Sequence, residues 1–256
     1  RILIPLIGGV TISWIGAEGA LIIQAMLVGL AAYGVYKIKY NHINNGNHRS
    51  IRKELGACIT ILRDQTEIRN LYVVLGVHIV FFIPFVPSLF PVYIVERFGA
   101  GAIALGVMSS VAGLGAASGA LLIALLNIEL LRGRIIVCFT GITAIGIMLM
   151  SIAPNLWIGN LFVFMTGLAS GGVFVSAITL LQGYASKDQR ARVIGISMML
   201  WGLIPLGSWM SGTIADNIGP HGSMMMGAVG MILAGIIIHR YMIKLWSLKN
   251  PQISSD

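Results

Sequence analysis

Negative charge is scarce in this sequence. The chain of 256 residues has 9 Asp+Glu against 17 Lys+Arg, and charged residues make up only 10% of it. An average soluble domain is about 25% charged and about 45–50% apolar. Here 57% is hydrophobic and the mean hydropathy is +0.88. A chain this size cannot hide that much apolar surface inside one water-facing globule. Cysteine is nearly absent as well. Cys58 and Cys138 are the only two, one in a basic segment and one in an apolar stretch. They build neither a disulfide framework nor a metal-ligand spacing and read as small apolar fillers. No Gly-x-x-x-x-Gly-Lys-Ser/Thr cradle for nucleotide phosphates occurs, and no His-Glu-x-x-His or Gly-x-Ser-x-Gly. These absences exclude an ordinary soluble enzyme, a disordered protein, a secreted disulfide scaffold and an ATP-driven pump on this chain. What remains is an all-α polytopic membrane protein, without a cofactor or metal, and 32 glycines suit close helix packing in lipid.

A helix needs about 20 apolar residues to cross the hydrocarbon. Charge-free stretches run over residues 2–17, 19–36, 71–95, 98–128, 135–186, 193–215 and 217–239. They are too long and too continuous for the alternating ten-residue strands of a membrane β-barrel. The block 135–186 is twice the length of one crossing, and Pro154-Asn155 divides it. Eight spans are therefore expected. The domains follow: two helices in residues 1–37, a linker at 38–70, a six-helix bundle at 71–246 and a tail at 247–256. Since the first residue is Arg1 and no leader precedes the apolar run, the chain is read as a fragment lacking its true N-terminus.

The basic residues test this span count. With segment 37–70 in the cytoplasm, Lys37, Lys39, Arg49, Arg52, Lys53, Arg63 and Arg69 fall inside. So do Arg1, Arg132, Arg134, Lys187, Arg190, Arg192, Arg240, Lys244 and Lys249, while Arg97 alone falls outside. This is the positive-inside pattern. It predicts a multi-pass protein of the cell membrane with a cytoplasmic C-terminus, and it accounts for the basic balance without nucleic acid. Within the linker, Ile51, Leu55, Ile59 and Leu62 recur at helical spacing beside Arg52, Lys53, Arg63 and Asp64. Two readings stay open for this amphipathic helix: one lying on the membrane face, or a solvated connector.

Two spans echo each other. Ile4-Pro5-Leu6 returns as Ile204-Pro205-Leu206, 200 residues on and six spans later. Small residues follow both prolines: Gly8 and Gly9 in one span, Gly207, Ser208, Ser211 and Gly212 in the other. A six-helix repeat would place these two spans at equivalent positions in two halves. Proline bends a helix and glycine admits a close neighbour, so Pro5, Gly8, Gly9, Pro205 and Gly207 read as a bent hinge pair at a seam, or as ordinary packing.

Ionisable groups inside spans are few. His78 is the clearest, and either titrates or packs as a hydrogen-bonded neutral ring. Its span carries Pro84, Pro87 and Pro91, and such irregular backbone is tolerated where it faces protein or a watery cavity. His78, Ser88 and Tyr93 are candidate lining residues of that span. Ser176, Thr179 and Gln182, on a polar strip with Ser170, Gly171 and Gly172, are the candidates of the sixth span. Asp188, Arg190 and Arg192 stand at an inner loop, as a cytoplasmic ion-pair latch or as simple positive-inside anchors.

Several stretches resemble the major facilitator superfamily, and within it the enterobactin-exporter and macrolide-efflux branch. Pro5-Leu6-Ile7-Gly8-Gly9 is similar to the end of the antiporter motif on the family's fifth helix, with Ile4 where a glycine is usual. Pro87-Ser88-Leu89-Phe90-Pro91-Val92-Tyr93 and Phe98-Gly99-Ala100-Gly101 resemble the end of helix seven and the start of helix eight. Arg132-Gly133-Arg134 resembles the basic end of the next inner loop, where only Glu129 stands for the expected acid. The segment Gln189-Arg190-Ala191-Arg192-Val193 resembles the junction of helices ten and eleven, with Ala191 in place of a glycine. The resemblance implies that this chain corresponds to helices five to twelve. It also implies a monomeric secondary transporter, exporting small organic molecules such as drugs or siderophores in exchange for protons by alternating access. Trp201, Trp209, Phe174 and Phe162 fit lipophilic cargo, or a packing role. The alternatives are a membrane-embedded enzyme, which needs clustered catalytic groups the spans do not show, and a fragment that transports nothing.

Overall fold

The computed structural model describes residues 3–37, 51–125, 132–186 and 188–241, and among these every regular element is helical. In chain order they are α1 (Leu3–Tyr36), α2 (Ile51–Asp64), α3 (Thr66–Phe81), a 3₁₀ turn (Pro87–Leu89), α4 (Phe90–Phe98), α5 (Ala102–Leu125), α6 (Arg132–Ser151), α7 (Leu156–Tyr184), α8 (Arg190–Trp201) and α9 (Ile204–Tyr241). The block 135–186 divides at Pro154-Asn155, where the Asn155 side chain caps α7 by accepting the Ile158 N–H at 2.9 Å. Glu129, the connection at 38–50 and the tail from 242 lie outside the described residues.

Five helical stretches among the described residues are long and apolar enough to cross a membrane: Leu3–Tyr36, Ala102–Leu125, Gly133–Ser151, Leu156–Tyr184 and Arg190–Ile238. The chain is a multi-pass membrane protein. Eight crossings were expected, and the difference has two causes. First, α3 and α4 are 16 and 9 residues, each too short alone, because the Pro84 and Pro87 region breaks the span between them. Second, α1 and α9 are each two helices joined at a glycine. As one straight helix the 34 residues of α1 would run about 51 Å, against about 30 Å of hydrocarbon.

The two glycines are Gly16 (φ 74°, ψ 171°) and Gly219 (φ 78°, ψ 164°), in backbone that side chains with a Cβ disfavour. Around Gly219 the chain doubles back. The Ser223 hydroxyl donates to the Ser211 carbonyl at 2.8 Å, though these residues would stand about 18 Å apart along a straight helix. Around Gly16, Ile23 lines one groove with Leu6, Ile7 and Val10, which also requires a reversal. Both turns read Ile-Gly-x-x-Gly: Ile15-Gly16-Ala17-Glu18-Gly19 and Ile218-Gly219-Pro220-His221-Gly222. In each, the second glycine lies under the isoleucine, so that an added Cβ would stand 2.9 Å from its Cδ1. The halves thus share a turn as well as a tripeptide, although the second proline precedes its turn by about one more helical turn.

Backbone contact organises the bundle. On α5, Gly115 and Gly119 lie against the carbonyls of Phe164 and Leu168 of α7, and Gly167 and Gly171 of α7 lie against the carbonyls of Ala112 and Ala116. A Cβ at any of these four would collide with backbone, so only glycine permits this approach. On its other face α7 packs against α6. One apolar core, with Ile61, Leu71, Leu180, Leu181, Val193 and Ile238, lies near the helix ends that carry Arg69 and Arg192. A second, with Phe90, Tyr93, Met108, Met150, Val163 and Met224, lies toward the opposite ends. There Arg97 donates from Nε to the Ala153 carbonyl at 3.2 Å. Only Gly9 of α1 is buried, at a crossing where an added Cβ would stand 2.6 Å from the Ala102 oxygen of α5.

Helix α2 docks against the bundle along one side. Its Ile61 is buried in the first core, Cys58 and Leu62 pack against that core, and Glu54 pairs with Arg192. The docking side, with Glu54, Cys58, Ile61 and Leu62, shares only Leu62 with the stripe Ile51, Leu55, Ile59 and Leu62 expected from the sequence, and Leu55 and Ile59 are exposed.

Candidate functional site

Between α1, the α3–α4 break, α5 and α7 lies a cavity of about 600 Å³. Pro5 closes one edge. Phe82, Ile83, Val86, Pro87 and Phe90 come from the broken span, Ser109, Ala112 and Ala116 from α5, and Thr166, Ser170, Gly171 and Phe174 from α7, with Trp201 at one side. The glycine-paired crossing of α5 and α7 forms its floor, and the proline break supplies its aromatic wall. Interrupted backbone inside a membrane protein is sustained only where its freed polar groups find partners. Here the Ser211 hydroxyl donates to the Pro84 carbonyl at 2.9 Å, and Gly207 packs so tightly on the break that a Cβ would lie 2.9 Å from the Val80 oxygen.

The lining is apolar with a few hydroxyls. The Thr166 hydroxyl already donates to the Phe162 carbonyl of its own helix at 2.7 Å. Among the described residues no acid, lysine or arginine lines the cavity. It therefore offers burial, aromatic faces and short hydroxyl contacts, and no formal charge to hold an ionic ligand.

The candidate residues distribute unevenly around it. Pro5, Ser170 and Gly171 line it. His78 does not. Its ring is fully buried behind Phe82 and Phe174, with centroids 6.3 and 6.0 Å away. Ser88 is exposed in the proline turn and its hydroxyl donates to the Ile83 carbonyl at 3.2 Å. Tyr93 sits in the second core with its hydroxyl on the Met150 carbonyl. Ser176 is buried away from the cavity, Thr179 bonds back to the Val175 carbonyl at 2.8 Å, and Gln182 is exposed near the end of α7. Helical rotation explains the split: the cavity face of α7 runs through Thr166, Ser170, Phe174 and Ile178, four residues apart, and Ser176 is half a turn off it. That fourfold spacing was present in the sequence; the direction it faces was not.

Of the hinge residues, Gly9 meets α5 and Gly207 meets the Pro84 break, while Gly8 has open space around it and Pro205 is exposed. In the first turn of α8, Arg192 pairs through Nε with Glu54 Oε2 at 2.8 Å, with a second contact from Nη2 to Oε1 at 3.4 Å. Glu54 of α2, rather than Asp188, is the acid that engages it; Asp188 and Arg190 are exposed. At the other end of α2, Gln65 donates from Nε2 to Gln189 Oε1 at 3.1 Å.

A helical membrane protein whose paired glycine crossings surround an apolar cavity is what a membrane carrier requires, and a family model described as transmembrane secretion effector matches residues 1–256. The chain belongs to the transmembrane secretion effector family of major facilitator transporters. Among curated proteins none matches the chain. Membership of this family points to a transporter.

Proposed function

We propose that this transmembrane secretion effector is a secondary active exporter of small lipophilic organic molecules, driven by proton exchange. The cavity is the carrying observation. It is large enough for a drug-sized compound, apolar, and served by a few hydroxyls, in keeping with the usual form of small-molecule sites. The absence of formal charge from its lining favours uncharged or weakly polar cargo. A drug or an uncharged siderophore-like compound fits that chemistry.

In this reading the chain crosses the membrane eight times, with α1 and α9 each supplying two crossings and α3 with α4 supplying one. The basic ends face the cytoplasm of the cell membrane, with the C-terminus among them, and the protein works as a monomer. The α1 hairpin moves with one bundle, and α3 to α9 form the other. Rocking at the Gly9–Gly106 crossing and at the Gly207–Pro84 contact alternates access to the cavity. Arg192 with Glu54, flanked by Asp188 and Arg190, acts as a latch on the cytoplasmic side.

The test is accumulation of dyes, antibiotics and siderophores in cells expressing the full protein, with and without a proton uncoupler. Lower accumulation of a lipophilic compound, abolished by the uncoupler, is the expected result. Export indifferent to the uncoupler would remove the proton exchange, and failure to export any lipophilic probe would remove the cargo class.

A further inference from the structure

His78 is the buried polar group that the fold leaves least accounted for. Its side chain has no exposed surface, and neither ring nitrogen completes a hydrogen bond, although the Val74 carbonyl one turn back lies close by. An unpaired buried polar group costs about 1–3 kcal/mol, so a bilayer-embedded imidazole without partners calls for a role.

Its surroundings are aromatic. Phe82 and Phe174 meet the ring edge-on at interplanar angles of 62° and 77°, and Phe174 is stacked on Trp201 at 6.3 Å. Phe82, Phe174 and Trp201 all line the cavity. The imidazole is therefore one aromatic layer away from the space assigned to cargo. That layer rests on loosened backbone. The His78 carbonyl accepts both the Phe82 N–H at 2.9 Å and the Ile83 N–H at 3.3 Å, a widened turn at the place where α3 ends before Pro84. Widened turns and prolines are where helices bend, so one of the two covering rings stands on a bend.

Among the described residues no charge stands next to the ring. On its own helix the nearest are Glu67 and Arg69, with Arg69 nine residues back, about 14 Å along the axis. Helix α7 contains no acid, lysine, arginine or histidine, and its Tyr184 is at the far end from Phe174. The charges of α8, Arg190 and Arg192, are in its first turn, eleven and nine residues before Trp201. On α9, Asp216 and His221 flank the Gly219 turn, and His239 and Arg240 stand at the C-terminal end of the helix. On α2, Arg52, Lys53, Glu54, Cys58, Arg63 and Asp64 belong to the docked helix at the base of α3. Tyr72, two turns before His78, holds its hydroxyl on the Val193 carbonyl. The ring's protonation is therefore set by whether water reaches it.

We propose that His78 is a proton-binding site gated by the Phe82–Phe174 lid. With the lid closed, water is excluded and the imidazole takes up no proton. When the bend at Phe82 swings that ring aside, or cargo displaces Phe174, a ring nitrogen accepts a proton from cavity water and returns it when the lid opens on the other side. This inference rests on the proton-exchange reading for its place in transport, and stands on the lid geometry for its chemistry.

The test follows the histidine ring directly. The full protein, ¹⁵N-labelled at histidine and held in lipid nanodiscs, is titrated by NMR, with the His78 signal assigned through His78→Gln. The expected result is a His78 signal that does not move between about pH 5 and 8 in the wild type. In Phe174→Ala and, separately, Phe82→Ala, it titrates within that window, while Phe174→Leu, which keeps the cover, behaves as the wild type. Two independent lid variants guard against loss of one to misfolding. A signal that titrates alike with and without the lid, or stays silent in both open variants, overturns the proposal. Uncoupler-indifferent export beside a gated His78 would sink the exchange reading and support the gated site. Uncoupler-sensitive export beside an ungated His78 would sink the site alone.

Discussion

Arg192 grips Glu54 with two nitrogens across a gap of 138 residues, tying the first turn of α8 to the helix that follows the connection at 38–50. The two side chains are 24% and 35% exposed, so water weakens the pair without dissolving it. Such pairs contribute about 0.2–1 kcal/mol. In thermal unfolding of the purified protein, Glu54→Gln and Arg192→Gln should each cost an amount in that range, and the double variant should cost less than their sum. A fully additive double variant would show that the two do not interact. As a latch, the pair also predicts faster export by Arg192→Gln, provided release of the cytoplasmic face limits the cycle.

The glycine-paired crossing of α5 and α7 should be the least forgiving part of the bundle. Gly119→Ala drives a methyl into the Leu168 carbonyl, whereas Gly8→Ala meets open space. Overpacking of this kind costs about 1–3 kcal/mol. Thermal melts should separate the two variants by that amount, with Gly8→Ala close to the wild type.

The two reversals should depend on positive φ rather than on room. Gly16 has nothing within 4 Å of where a Cβ would stand, yet its φ is 74°. Gly16→Ala is therefore expected to lose about 1–3 kcal/mol through strain alone, because at ψ 171° this backbone lies in a region essentially confined to glycine. Gly16→Asn should lose about as much, since asparagine tolerates positive φ only near the left-handed helical region, at ψ of about 30–60°. An alanine variant that melts with the wild type would show that the strain is not there.

Tyr93 stands apart from the cavity, and its substitution should read as stability. Tyr93→Phe removes the hydroxyl from the Met150 carbonyl in a fully buried core, which costs about 1 kcal/mol. By contrast Val175→Trp fills the cavity from α7. It should slow export of the identified cargo by about tenfold, equivalent to about 1.4 kcal/mol, at normal expression and melting temperature.

The helical class, the membrane setting, the Pro154-Asn155 division and a helix at Ile51–Asp64 were all legible in the linear chain, though not the side by which that helix docks. Each follows from local quantities: apolar run length, a residue that cannot continue a helix, or a periodicity of 3.6. The resemblance to major facilitators was legible for the same reason, since it rests on short contiguous stretches. The repeated Ile-Gly-x-x-Gly turn was also there to be read, and was missed because glycines are so frequent that one pair of spacings does not stand out.

The tertiary fold decided what periodicity cannot address: which way each stripe points and what it meets. Composition marked Ser176, Thr179 and Gln182 as polar, and only the rotation of α7 turned Ser170 and Phe174 toward the cavity instead. Charge marked Asp188 as the neighbour for Arg192, and only the docking of α2 brought Glu54 there. His78 was visible as an intramembrane histidine, but its enclosure by Phe82 and Phe174, one of them 96 residues away in the chain, exists only once α3 and α7 pack. Run length and periodicity are properties of neighbours in sequence, whereas a cavity, a latch and a lid are made by residues that chain folding alone brings together.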